Sequence, residues 1–104
     1  EVEDAIIDAV VEIVKPQIIE VKYETLADLH LLSDKLTALP SWRRPLIWVN
    51  TLEDVGCAGH VDSAALANPD EIWGELVRAG VGLIQTDLPD HFINWRDGKA
   101  IATA

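Results

Sequence analysis

Three short apolar runs constrain this chain most: QIIEVKY (17–23), PLIWVNT (45–51) and VGLIQTD (81–87). Each is rich in β-branched residues, bounded by Pro or Gly, and therefore reads as a strand. One pattern of helical period lies between each pair. After the first run, Thr25 followed three residues later by Asp28 predicts a capping box. Leu26, Leu29, Leu32, Leu36 and Leu39 then recur at helical spacing up to Pro40. Before the third run, Asn68 as N-cap, Pro69 at the first helical position and Glu71 two residues on predict a helix that stops at Gly80. The Gly/Ala/Asp-rich stretch 52–65 reads as a loop. Residues 3–14 place Asp4, Asp8 and Glu12 on one side of a helical period. The stretch 89–97 predicts a short closing helix ending near Gly98.

The predicted order is α-β-α-β-α-β-α. Strands joined through single helices demand right-handed crossovers and a parallel sheet. Their nearly continuous apolar character fits a sheet covered on both faces or closed into a barrel. Three parallel strands alone leave two exposed edges. The expectation is a single partial domain over 1–104, of α/β class, completed by residues outside this stretch. The absence of Met and the Glu at position 1 point the same way.

Composition narrows the partners. At 49% hydrophobic, the chain can build a core. A net charge of −10 disfavours binding to nucleic acid or to an anionic membrane. No run approaches the length of a transmembrane helix. The single cysteine, Cys57, cannot form an internal disulfide and has no neighbouring base in sequence.

The strands end in polar side chains: Glu20, Lys22 and Tyr23 in the first, Asn50 and Thr51 in the second, and Gln85, Thr86 and Asp87 in the third. In parallel α/β folds the carboxyl ends of strands face the ligand. Period two puts Trp48 with Asn50, Gln85 with Asp87, and Glu20 with Lys22 on shared faces. Together they predict an amide- and carboxylate-rich rim with one Lys and one Trp wall, suited to a hydroxylated, phosphorylated ligand and a metal ion, with a core position as the alternative for Trp48. Asp87 also has a simpler reading, as the cap of the helix that follows. His60 and Asp62, in the loop after the second strand, are candidate ligand contacts; a solvated histidine in a Gly-rich turn is the alternative. His30 and His91 read as structural or solvated. No spacing matches a metal motif, a phosphate-binding Gly-rich loop or a nucleophile elbow.

Four stretches together resemble a known family. They are the W-V-N-T-L of Trp48–Leu52, the G-H-V-D of Gly59–Asp62, the N-P-D-E-I-W-G of Asn68–Gly74 and the I-Q-T-D-L-P of Ile84–Pro89. Over residues 45–96 the chain resembles the carboxyl-terminal end of the glycerophosphodiester phosphodiesterase family. It departs at Leu88, where that turn often carries Arg, and at Val61, where the loop often carries a second Asp. The resemblance implies a TIM barrel of the phospholipase-C-like phosphodiesterase type, of which this chain is the last three βα units or so. It implies metal-dependent hydrolysis, with Ca2+ or Mg2+, of a glycerophosphodiester to glycerol 3-phosphate and an alcohol. Substrate contacts would fall to Trp48, Asn50, Gln85 and Asp87. Glu20 with Lys22 is similar to the family's Glu-x-Lys strand, which would make Glu20 a metal ligand; that strand, however, stands further upstream in the family. The His-Arg-Gly and Glu-x-Asp segments that carry the family's acid–base and metal groups do not occur here, so no catalytic residue is assigned. The rival expectation is a non-catalytic α/β module that binds a partner or self-associates through its open sheet edges.

Overall fold

The computed structural model describes residues 10–103. The predicted first helix falls mostly outside them. Its described end, Val10–Val14, is a single π-helical turn that buries Val11. Lys15, at φ 53°, breaks the turn before Pro16.

Strand β1 (Ile18–Glu20) leads into helix α1 (Leu26–Thr37). A 3-10 turn, Ser41–Arg43, precedes strand β2 (Leu46–Asn50). Helices α2 (Asp62–Ala67) and α3 (Pro69–Arg78) follow, then strand β3 (Val81–Gln85) and helix α4 (Pro89–Thr103). The three strands form one parallel sheet in the order β1-β2-β3. The α/β class and the parallel sheet are therefore as expected.

Local signals act where the sequence places them. Thr25 and Asp28 exchange both capping-box hydrogen bonds, each 3.2 Å. The Asn68 side chain accepts the Glu71 amide at the start of α3. Gly80 ends that helix at φ 99°, and a side chain there would also collide with Ser33 Oγ.

Two expectations need correction. The stretch 52–65 is not all loop: α2 starts inside it. No side chain of its own caps this helix. Instead the Glu53 carboxylate, ten residues back, accepts the Ser63 amide and hydroxyl, at 2.5 and 3.0 Å. The closing helix also does not end near Gly98 but continues to Thr103. Trp73, Phe92 and Trp95 stack where α4 meets α3, with Trp73 and Phe92 edge-to-face at 5.2 Å. Trp95 Nε1 adds a 2.9 Å bond to Asp70 on α3.

The sheet is covered on one face. Ile47, Val49 and Val81 pack against Leu29 and Leu36 of α1 and against Leu76 and Ala79 beyond them. Burial of each such aliphatic side chain contributes on the order of 1.5–3 kcal/mol. The opposite face carries Ile18, Leu46 and Leu83, exposed by 47, 50 and 40%. A bulge keeps the two faces distinct. Ile47 pairs with Val81, but Trp48 pairs with Leu83, so Gly82 is an extra residue in β3. The inserted residue lets both Val81 and Ile84 meet the core and returns Gln85 to the open face. A Cβ at Gly82 would lie 2.9 Å from Leu46 Cδ2, so the half-exposed Leu46 side chain would have to turn aside to admit one.

Candidate functional site

The carboxyl ends of the strands bring the sequence-predicted rim together. Glu20 pairs in register with Trp48, Trp48 with Leu83, and Asn50 with Gln85. Glu20, Trp48, Asn50 and Gln85 thus lie across the open face of the sheet at its polar end. Asn50 Nδ2 donates to Glu20 Oε2 at 2.5 Å, bridging β2 to β1. Asn50 Oδ1 is buried and has no hydrogen-bond partner among the described residues. Gln85, Asp87 and Glu20 are exposed, while Trp48 is half-buried. Trp48 is accordingly a wall of the open face and not a core residue.

Asp87 does not cap α4. The Leu88 carbonyl accepts the Phe92 amide, so the helix begins from Leu88, and the Leu88 amide goes to Thr86 Oγ1. The Asp87 side chain stays exposed at the rim.

His60 and Asp62 lie behind the rim. Each is 3% exposed, so His60 is no solvated turn residue. The Asp62 carboxylate accepts three hydrogen bonds. Thr51 Oγ1 and Thr86 Oγ1 reach Oδ1 at 2.6 and 2.7 Å, and the Asp87 amide reaches Oδ2 at 2.8 Å. Thr51 is fully buried, and its own amide donates to the Gln85 carbonyl at 2.9 Å. One carboxylate therefore ties the end of β2 to the turn after β3.

His60 makes the corresponding link toward β1. Its Nδ1 lies 2.8 Å from the Tyr23 hydroxyl, and its Nε2 lies 3.0 Å from Glu75 Oε1 on α3. With the proton on Nε2, the ring donates to the carboxylate and accepts the phenol proton. Burial holds the Tyr23 phenol well above its ordinary range, and the nearness of Cys57 and Glu75 adds to this. The segment His60–Asp62 thus fastens all three loops at the carboxyl end of the sheet. Sequence reasoning picked out both polar residues and placed Tyr23 at the polar end of the first strand, but it did not pair Tyr23 with His60 and it missed Glu75. Tyr23 is 37 residues from His60 in sequence, and no local pattern signals such a partner.

Glu20 and Asn50 offer hard oxygen atoms on neighbouring strands, where the Asn50 amide already engages the Glu20 carboxylate. Ca2+ takes about 6–8 oxygen ligands and Mg2+ about six. Among the described residues no group of three or more His, Cys, Asp and Glu side chains converges to hold a metal ion. These residues do not by themselves build a Ca2+ or Mg2+ site. His30 and His91 are exposed. The cleft lined by Ser33, Thr37, Ser41 and Arg44 lies at the opposite, amino end of the strands. There Arg44 donates to the carbonyls of Thr37 and Leu39, completing the end of α1. Among the described residues no helix is long and apolar enough to cross a membrane.

The chain belongs to DUF4996, a family described as a domain of unknown function, which it matches over residues 1–96. No curated protein matches it.

Proposed function

We propose that this chain is the ligand-facing part of a glycerophosphodiester phosphodiesterase barrel, the last three βα units of a TIM-barrel fold. The observation that carries this reading is the one-sided sheet. A parallel sheet is normally covered on both faces, and among the described residues helices cover only one. The uncovered face carries apolar residues toward the amino ends of the strands and Glu20, Trp48, Asn50 and Gln85 toward the carboxyl ends. That gradient suits the lumen of a barrel whose ligand sits at the carboxyl rim. The resemblance over residues 45–96 agrees with it.

In this reading the chain's own residues bind and orient. Trp48 supplies an apolar wall for the carbon backbone of a glycerol moiety. The amides of Asn50 and Gln85 hydrogen-bond its hydroxyl or phosphoryl oxygens. Asp87 limits the rim on the β3 side. A divalent cation, when bound by a complete site, would stabilise charge on the phosphoryl oxygens. No proton transfer is assigned to these residues.

The test is hydrolysis of glycerophosphocholine with Ca2+ or Mg2+, against an EDTA control, by this chain and by any longer form of it. Trp48→Ala and Asn50→Ala are measured beside the wild type. Activity that both variants weaken supports the reading; hydrolysis indifferent to both, or absent from every form, contradicts it. A second reading is a module that self-associates through the sheet. It is favoured by the outer edges of β1 and β3, which no strand pairs among the described residues. It predicts concentration-dependent association without hydrolysis.

A further inference from the structure

We infer that Asp62 is the positioning residue of the rim, setting the Gln85–Asp87 turn for a ligand without touching that ligand. The inference rests on the proposed ligand-facing role of the open sheet face, and it adds the device that holds that face in shape.

The geometry is specific. Asp62 is buried, and its two oxygens accept from Thr51, Thr86 and the Asp87 amide. Its own amide donates to the Thr51 carbonyl at 2.7 Å. Thr51 in turn holds the Gln85 carbonyl through its amide. Asp62 reaches residues 86 and 87 directly and residue 85 through Thr51, and the exposed side chains of Gln85 and Asp87 form the β3 side of the rim. Thr86 Oγ1 accepts the Leu88 amide, so the same bonds fix where α4 begins.

An ionised carboxylate suits this place, because three donors converge on it and no donor of its own is needed. Alanine removes all three acceptor contacts. Asparagine keeps one oxygen, which can serve the Asp87 amide while the amide nitrogen donates to a threonine hydroxyl. The two variants therefore separate positioning from mere bulk.

The experiment is amide hydrogen exchange by NMR on wild type, Asp62→Ala, Asp62→Asn and Thr86→Val. It is paired with titration of glycerol 3-phosphate in the presence of Mg2+. Exchange at Asp87 should rise about tenfold or more in Asp62→Ala and recover in Asp62→Asn. The Thr51 amide, which belongs to the sheet, should stay protected. Glycerol 3-phosphate should bind Asp62→Ala about tenfold more weakly, with Asp62→Asn closer to wild type. If Asp62→Ala loses protection throughout, Thr86→Val carries the comparison, with a smaller effect in the same direction. Unchanged exchange at Asp87 overturns the inference, as does raised exchange with undiminished binding. If the wild type does not bind glycerol 3-phosphate, the ligand reading fails, and exchange at Asp87 alone decides whether Asp62 sets the turn.

Discussion

Asp62 Oδ2 accepts the backbone amide of Asp87 at 2.8 Å, so one buried carboxylate anchors the backbone that presents another at the surface. The two aspartates have opposite environments and separate tasks. A buried carboxylate with three donors is a structural element, and truncation leaves those donors without partners. Asp62→Ala should lower stability by about 2–4 kcal/mol. Urea unfolding monitored by circular dichroism measures it. Asp87→Ala, at an exposed side chain, should change stability by no more than about 0.5 kcal/mol.

The buried phenol of Tyr23 makes stability depend on alkaline pH. Its folded pKa is raised above the ordinary value of 10.0, chiefly by burial. Above that value the unfolded chain gives up the phenol proton while the folded chain retains it. The unfolded state then binds fewer protons, and stability falls as pH rises. The stabilisation is complete below pH 10 and is lost as pH climbs toward the raised folded pKa. Thermal unfolding between pH 8 and pH 11 should show this decline in the wild type, at about these values. Tyr23→Phe should flatten it, starting from a stability about 1 kcal/mol lower because the bond to His60 is gone.

The one-sided sheet predicts an asymmetry between neighbouring strand residues. Ile47 is 3% exposed on the helical face, whereas Leu46 beside it is half exposed on the other. Ile47→Ala should cost about 2–5 kcal/mol, and Leu46→Ala less than about 1 kcal/mol. Equal costs in denaturant unfolding would mean that the open face is covered in solution.

Much of this fold is legible because its signals are local. The Thr25–Asp28 box and the Asn68-Pro69-Glu71 start each act within a single helical turn. The strands could be read from short β-branched runs between breakers. Helix α2 could not, because its cap comes from Glu53, outside the helix and separated from it by a loop. The bulge at Gly82 was also hidden, since a glycine in a strand does not reveal the register of its neighbour. The rim residues were legible from period two and strand polarity. The burial of His60 was not, because it depends on Tyr23 and Glu75 arriving from two other segments.

A glycine tests the turn between α3 and β3. Gly80 has φ 99°, and an added Cβ would overlap the Ser33 hydroxyl. Gly80→Ala should destabilise by at least about 1–2 kcal/mol from backbone strain alone. Ser33→Gly in the same chain should recover the steric part and leave the strain.

The central claim is that the carboxyl rim of the open sheet face receives a glycerol phosphate group. The most direct measurement is a 15N NMR titration of this chain with glycerol 3-phosphate and Mg2+. The account predicts saturable shifts concentrated at the Trp48 indole and at the side-chain amides of Asn50 and Gln85, weakened in Trp48→Ala. Shifts absent from that rim, or centred on the cleft at the amino ends of the strands, would contradict it.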